Sequence, residues 1–360
     1  MRKIGLEEEM LLVDPKTGRT TALSERAMRR HSGDAEIEHE LFLEQIETMT
    51  EPHASLDDLA AELEEIRRQA VAAARSAGAS LIASGTPPLP SGESHVTPKP
   101  RYERMVEEAG EIGRFAAVCG MHVHIDVDSD DEAVGVMDRI QPWLPILLAI
   151  SANSPYADGR DTDYASWRSR SWTAWPTAGP VEPFGDADTY HRAVRELIAS
   201  GAALDEGMVY FDARIARALP TIEIRVADVC TDRRDGILVA ALVRALVETE
   251  ARAWSDGRAV DPWRVELLRG SRWQAARHGV SERLFDPATR ELRPAGEVLD
   301  RLVTHVGEAL AAAGDAAYVR EGIERLLSSG SGADHQRRVG VDGDLVAVVA
   351  DLARRTDPDA

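Results

Sequence analysis

Four short stretches of the chain alternate charged and apolar residues at a period of two: Gly5-Leu6-Glu7-Glu8-Glu9-Met10, Glu44-Gln45-Ile46-Glu47-Thr48, Gly120-Met121-His122-Val123-His124-Ile125-Asp126 and Thr221-Ile222-Glu223-Ile224-Arg225-Val226. Successive side chains of a β-strand point to opposite faces, so Glu7 with Glu9, Gln45 with Glu47, His122 with His124, and Glu223 with Arg225 each share a face. If these strands lie in one sheet, one of its faces is a floor of carboxylates, imidazoles and a guanidinium. Burying such a floor dry costs several kcal/mol per unpaired ion, so it should face a cleft that holds cations and an anionic ligand.

The rest of the chain supplies the frame. Residues 3–13 read as a strand closed by the turn Asp14-Pro15-Lys16-Thr17-Gly18, and 40–50 as a second strand. Leu56, Leu59, Leu63, Ile66 and Ala70 recur at helical spacing between Ser55, which pairs with Asp58 as a cap, and Gly78, a C-terminal stop. A short strand over 80–84 runs into the stiff loop 85–90. The pattern predicts helix over 101–118, strand over 120–128, and a helix over 130–152 that Pro142 and Pro145 kink or split. Residues 153–184 are irregular and rich in Ser, Trp, Pro, Gly and Arg; a loop that long inside a compact domain is usually functional. A helix at 188–199, an extended segment at 208–215 and a strand at 221–229 follow, and everything from Gly236 reads as mostly helix, with Arg354–Ala360 polar enough to fray. The order predicts an α+β fold: one domain over 1–360, sheet-rich to 230 and mostly helical over 231–357, with helices on one face of a mainly antiparallel sheet and the charged floor on the other.

Composition narrows the partners. A formal charge of -20, with Arg dispersed among Asp and Glu, argues against nucleic acid and anionic membrane and reads as a solvated acidic surface. Cys119 and Cys230 sit in apolar, strand-like contexts and read as buried thiols in a reducing compartment. The acidic residues soon after Met1 leave no signal-peptide core, and the longest apolar run, Trp143–Ala152, is far short of a membrane span; a cytoplasmic protein is expected. Association of subunits is compatible with such a fold, and no surface stripe identifies a contact.

Glu7 and Glu9, on the strand alone, fit either an acidic edge or metal ligation. With Glu47 added, three converging carboxylates would repel unless a divalent cation neutralised them, and oxygen ligands favour Mg or Mn over Zn. The His122-Val123-His124 motif could suggest zinc, but no CxxC, HExxH or third close histidine supports it. One imidazole can join the carboxylates at a harder metal while the other donates to an anion. Glu223 and Arg225, with Arg214 upstream, combine a metal carboxylate with planar donors suited to phosphate, or else a core salt bridge. Asn153, Ser154, Arg160, Asp161, Ser166 and Arg168 read as a polar wall around a small anionic substrate, packed by Trp167, Trp172 and Trp175. The chain lacks GxGxxG, GxxxxGK[ST] and GxSxG elements, so a nucleotide would have to be held by metals and arginines.

Taken in order, GLEEE at 5–9, EQIET at 44–48, CGMHVHIDV at 119–127, LLAISANSPYADGRDTDYASWR at 147–168, WPTAGP at 175–180, PTIEIRVADV at 220–229, SRWQAARHG at 271–279 and the closing Gly332–Arg337 resemble the carboxylate-amine ligases of the glutamate-cysteine ligase type 2 family. The resemblance implies a glutamine synthetase-like fold, a curved antiparallel sheet with helices on its convex face, binding ATP and Mg or Mn on the concave one. It implies activation of a carboxylate as an acyl phosphate that an amine attacks, with small-molecule amino acid and amine substrates. Glu7, Glu9, Glu47 and Glu223 match the metal carboxylates, with His122 or His124 as imidazole ligand; Arg214 and Arg225 match phosphate-facing positions; Gln45 and Thr86 join the substrate side. Asp161 and His122 are candidates to deprotonate the amine. Two departures, Pro87-Pro88-Leu89 where His-Pro-Phe is usual and Tyr210-Phe211-Asp212-Ala213 where a Trp-Asp-Ile pattern is usual, point to a different acceptor or to lost turnover. A metallohydrolase on the same floor and a non-catalytic nucleotide-binding relative are the alternatives.

Overall fold

The computed structural model describes residues 1–90, 92, 94–114 and 117–360. In chain order the elements are β1 (Ile4–Val13), α1 (Ser24–Arg30), β2 (Glu36–His39), β3 (Gln45–Met49), α2 (Leu56–Ala77), β4 (Ser80–Ile82), α3 (Pro100–Ala109), β5 (Gly120–Asp126), α4 (Asp130–Ile140), α5 (Leu144–Ser151), β6 (Tyr156–Ala157), β7 (Arg160–Asp161), α6 (Trp167–Trp172), α7 (Ala187–Ala199), β8 (Ala213–Ile215), β9 (Thr221–Asp228), α8 (Arg233–Ser255), α9 (Val265–His278), β10 (Arg283–Asp286), β11 (Glu291–Pro294), α10 (Ala295–His305), α11 (Gly307–Ala313), α12 (Ala316–Ser329), α13 (Gly332–Val339) and α14 (Leu345–Thr356). The main sheet runs β2-β3-β1-β5-β9-β8, with β4 also paired to β1, and every pairing is antiparallel. The α+β arrangement expected from the sequence is the one observed.

The helix side of the sheet is the apolar half of the alternation. Leu6, Met121, Val123, Ile125, Ile222 and Ile224 are buried there against α4, α5 and α8. Each such side chain contributes roughly 1.5–3 kcal/mol through burial. Ser55 caps α2 by accepting from the Asp58 amide at 3.3 Å, and Gly78 ends it at φ 92°, as the sequence predicts. Pro142 and Pro145 split the expected 130–152 helix into α4 and α5, bent by 74°. Among the described residues no single helix is long and apolar enough to cross a membrane. Both cysteines are free and buried, and burial pushes their thiols up, away from the reactive thiolate.

Some elements differ from the expected ones. The 40–50 strand begins only at Gln45, and a further strand, β2, precedes it; its Glu36-Ile37-Glu38-His39 pattern also alternates. Helix α1 is unannounced in the sequence because no side chain caps its start. The helix expected over 101–118 stops at Ala109, where Gly110 takes φ 58°, and a single 3₁₀ turn covers Ile112–Arg114; its part at 115–116 lies outside the described residues. The 153–184 loop holds the β6–β7 hairpin and α6, and the helical third contains the β10–β11 hairpin. The C-terminus is tied down rather than frayed: buried Thr356 accepts the Ala83 amide at 2.9 Å, and Arg75 and Arg68 pair with Asp357 and Asp359 at 2.8 and 3.0 Å.

Candidate active site

The register of the sheet brings the four alternating stretches together on the face away from α2, α4, α5 and α8. Glu7 stands opposite His122, Glu9 opposite Glu47, and Arg214 opposite Glu223. A register shift between Met121 and Val123 bends β5 beside His122. His122 Nδ1 meets Glu7 Oε2 at 2.9 Å, and its Nε2 stands 3.8 Å from Glu9 Oε1. Glu223 is clamped by Arg214, whose Nε and Nη2 donate at 2.6 and 3.1 Å, and also by Arg225. Glu9 Oε2 accepts the Gly120 amide at 2.6 Å. Glycine at 120 makes room for Arg168: a Cβ there would come within 2.2 Å of its Nη2 and the guanidinium would have to shift.

The charges divide this floor into two kinds of carboxyl. Burial opposes ionisation of Glu7, but hydrogen bonds and charge from His122 and His124 outweigh it and hold its carboxyl well below the usual range. Glu223 is likewise buried and held down by Arg225 and Arg214. Glu47 goes the other way, pushed well up by burial and by Glu40, Glu7 and Glu9. Burial and Arg225 lower His122, whereas for His124 the Glu7 carboxylate overcomes burial and raises it. Arg225, buried and opposed by burial, is still raised by Glu223 and Glu9 and stays cationic.

Two donor sets, Glu7 with His122 and Glu223, and Glu9 with Glu47 and His122, have their ligand atoms within 4.8 Å of one another. A divalent cation fits them. The buried His122 Nε2 has no hydrogen-bond partner among the described residues, and the burial and neighbouring Glu40, Glu7 and Glu9 that push Glu47 up are what a cation would offset. His124 is in neither set; its Nδ1 meets Thr221 Oγ1 at 2.9 Å, and its Nε2, 3.0 Å from Glu7 Oε1, also lacks an aligned hydrogen bond among the described residues.

A cavity of about 250 Å³ opens over the floor. Glu7, Glu9, Gln45, Glu47, His122, Arg214 and Arg225 line one part of it, and Phe42, Tyr102, Trp172, Trp175 and Tyr210 another. Trp172 and Trp175 pack against Tyr210, tilted and edge-on, with ring centroids 4.8 and 5.4 Å apart, so they pack the loop and also wall the cavity. Trp167 packs against Tyr164 instead. Glu40 also lines the cavity, and burial beside Glu9 raises it to about 7. Sequence reading missed Glu40 because it ends the β2 side of a connection rather than sitting in the alternation of β3; the strand expected over 40–50 was its only signal.

Most of the expected polar wall lies elsewhere. Ser154 and Ser166 donate to the two oxygens of Asp228 at 2.7 and 2.8 Å, the Asn153 amide donates to the same carboxylate at 2.9 Å, and Arg168 stands 3.9 Å from it. These buried groups satisfy Asp228 and fix the strand end beneath the cavity, not its lining. Thr86 donates to the Tyr156 carbonyl at 2.7 Å, and Pro88 accepts the Gly159 amide at 3.0 Å, so the Pro87-Pro88-Leu89 departure supports the β6–β7 hairpin and does not touch the cavity. Arg160 and Asp161 are on that hairpin at the surface, where Asp161 takes both Arg337 Nη2 and Nε at 2.7 and 2.8 Å. Asp161 is not brought to the floor. In the second departure Tyr210 lines the cavity, whereas Asp212 is buried 3.2 Å from Arg272.

The family model described as Glutamate-cysteine ligase family 2 matches residues 3–349. A Streptomyces coelicolor protein and a Rhodopirellula baltica protein, both named "Putative glutamate--cysteine ligase 2", are 48% and 40% identical to the chain. The first match covers 99% of both chains, the second 99% of this chain and 97% of the relative. Among solved structures, the Francisella tularensis glutamate–cysteine ligase in complex with AMP superposes with a TM-score of 0.70 at 14% identity, covering 99% of this chain and 88% of that one. A bifunctional glutathione synthetase from Pasteurella multocida gives 0.71 at 17% identity over 99% of this chain and 52% of its own. These two likenesses concern the fold.

Proposed function

The chain belongs to the glutamate-cysteine ligase family 2, and from that premise we propose that it is an ATP-dependent ligase joining the γ-carboxyl of glutamate to an amine. The observation that carries the reading is the convergence of Glu7, Glu9, Glu47 and His122 beside Arg214 and Arg225 in one cavity, with Glu223 completing a donor set at its floor. Such a site has metal ligands and anion donors and no activated nucleophile, which suits transfer of a phosphoryl group.

In this reading ATP phosphorylates the substrate carboxylate, the amine attacks the acyl phosphate, and an amide, ADP and inorganic phosphate leave. The two donor sets would hold divalent ions, which when bound neutralise phosphate charge. The chain's own groups do the rest. Arg225 and Arg214, fixed by Glu223, present guanidinium donors to anionic oxygens as charge builds in the transition state. The aromatic part of the cavity, around Trp172, Trp175 and Tyr210, excludes water that would hydrolyse an acyl phosphate. Glu40, with a pKa of about 7 at the cavity wall, is suited to take the proton from the attacking amine.

Purified protein supplied with ATP, Mg, glutamate and a panel of amines should release ADP in an amine-dependent way, with amide product detected by mass spectrometry. ATP binding without turnover across the panel would instead support a non-catalytic nucleotide-binding protein. Amide cleavage without nucleotide would replace the ligase by a hydrolase.

A further inference from the structure

A second cavity, of about 280 Å³, lies on the other side of α6 from the catalytic one, near the lower end of the size range of small-molecule sites. Ser171 and Trp172 of α6 face the catalytic cavity while Ser169 and Arg170 face this one, and Trp175 lines both. Its charged lining is Arg170, Arg269 and Arg272, and among the described residues no carboxylate lines it. That is unusual in a chain with 62 acidic against 42 basic residues, where most arginines find an acidic partner. Neither Arg170 nor Arg269 has a carboxylate within ion-pair distance among the described residues; Glu266, the acid nearest Arg269 on α9, is paired with Arg264 at 2.7 Å. Arg272 is built in. Its side chain is 7% exposed, its Nη1 donates to the Ser169 carbonyl at 3.3 Å, and its Nε, 3.2 Å from Asp212, lacks a well-aligned partner. Beside these donors the Trp273 ring is 43% exposed, with its Nε1 held by Tyr164 Oη at 3.0 Å.

We propose that this cavity, framed by Arg170, Arg269, Arg272 and Trp273, is a second ligand site that binds a compact dianion of phosphate or dicarboxylate type. Arg170 and Arg269 supply charge that no carboxylate partner neutralises among the described residues, and the buried Arg272, paired with Asp212, supplies a fixed guanidinium that an exposed arginine lacks. The site also uses Arg272 and Trp273 of the Ser271–Gly279 motif, of which no residue lines the catalytic cavity. It shares a wall with that cavity. Asp212, the buried partner of Arg272, accepts the backbone amide of Arg225 at 3.0 Å, and Gly179 at the cavity rim exchanges backbone bonds of 3.3 and 3.0 Å with Tyr210 and Asp212. An anion drawn to Arg272 is therefore linked through Asp212 to the segment that carries Tyr210 and leads into β8 with Arg214, and occupancy should change the KM of the catalytic cavity.

The test uses the full-length protein and three probes: inorganic phosphate, AMP and succinate, titrated calorimetrically. Arg269→Ala and the double variant Arg170→Glu/Arg269→Glu remove or reverse charge at positions outside the core, and Glu47→Gln alters only the catalytic cavity. The site predicts saturable binding of phosphate or succinate that weakens at least about tenfold in the double variant, weakens less in Arg269→Ala, and persists in Glu47→Gln. Tighter binding of AMP than of phosphate, lost with the same variants, would assign the Trp273 ring to a base and identify a nucleotide source. Binding indifferent to both arginine variants, binding abolished by Glu47→Gln, or no saturable binding of any probe at millimolar concentration would overturn the proposal. None of these outcomes depends on ligase turnover, so the second site and the proposed reaction stand or fall separately.

Discussion

Glu8 and its neighbours Glu7 and Glu9 are the same residue on consecutive positions of β1, yet they meet opposite surroundings. Glu8 points to the helix side, where Arg67 of α2 grips both its oxygens at 2.6 and 2.8 Å and spends its other donors on the Cys230 and Thr231 carbonyls at 2.6 and 2.8 Å. Both side chains are buried, and every charge there has its partner within the chain. Glu7 and Glu9 point to the cavity, where Glu40 and Glu47 add further carboxyl groups, Arg214 and Arg225 are held by Glu223 at its edge, and the remaining lining arginine, Arg101, is paired with Asp205. A fold that satisfies one buried carboxylate so fully has not failed to satisfy the others. Carboxyl groups outnumber guanidinium groups on the cavity side, so the two faces should respond oppositely to the same kind of mutation.

The largest effects test that opposition directly. Arg67→Ala strands Glu8 in the core and should cost about 3–5 kcal/mol in denaturant unfolding. Glu47→Gln removes a charge that the metal-free protein already resists, so unfolding stability without metal should be unchanged or higher. The same Glu47→Gln variant should lower amine-dependent ADP release by roughly 10²–10³-fold, about 2.7–4 kcal/mol of transition-state stabilisation. Equal destabilisation by the two substitutions would erase the distinction between the faces.

Divalent ions sharpen it next. Mg or Mn at a hundred times its dissociation constant should stabilise the wild-type protein by about 2.7 kcal/mol, read as a rise in Tm. The rise should shrink in Glu47→Gln and in Glu9→Gln, whose side chains belong to a donor set. If the Tm of wild type ignores both ions, the carboxylate floor is not a cation site.

The pH dependence is smaller and its sign is fixed by the direction of the shifts. Glu40 rises from 4.5 to about 7 on folding, and Glu47 rises as well, so between those pH values the folded protein holds more protons than the unfolded one. Stability of the metal-free protein should therefore fall as pH rises from 4.5 to about 7. Glu7 and Glu223 are shifted down, and their contribution is lost only below 4.5, as pH falls through their folded-state values. Metal ligation requires the deprotonated carboxylates, so the stabilisation by Mg should grow across the window in which the metal-free protein weakens. Parallel curves with and without Mg in thermal melts would contradict the assignment of Glu47 as a ligand.

The floor was legible in the sequence because its geometry is local: a period of two on four segments decides which residues share a face, and antiparallel pairing then needs only the right register. The cavity wall was not, since Tyr102, Trp172 and Tyr210 come from three separate segments and meet only in the folded chain. The clearest confusion concerned Asn153, Ser154, Ser166 and Arg168. Small polar residues with an arginine in a long loop look alike whether they face a substrate or a buried carboxylate, and Asp228, which decides between the two, lies at least sixty residues away at the end of β9.

Asp161 offers the smallest predicted effect and the sharpest check on that confusion. Its loop context suggested a catalytic base, but it is 39% exposed and paired with Arg337, itself 31% exposed. Burial would raise its carboxyl, and the Arg337 hydrogen bonds outweigh burial and lower it, leaving a carboxylate that is already satisfied and poorly suited to accept a proton. An exposed pair of this kind contributes at most about 1 kcal/mol, so Asp161→Asn should shift Tm slightly and leave kcat/KM within about twofold of wild type. Glu40→Gln is the matched control, since it changes a cavity carboxyl without touching the hairpin, and it should lower kcat more than it changes KM. A hundredfold loss in Asp161→Asn with Glu40→Gln unaffected would mean that the β6–β7 hairpin reaches the substrate during turnover, and the proton acceptor would move from the wall of the cavity to its rim.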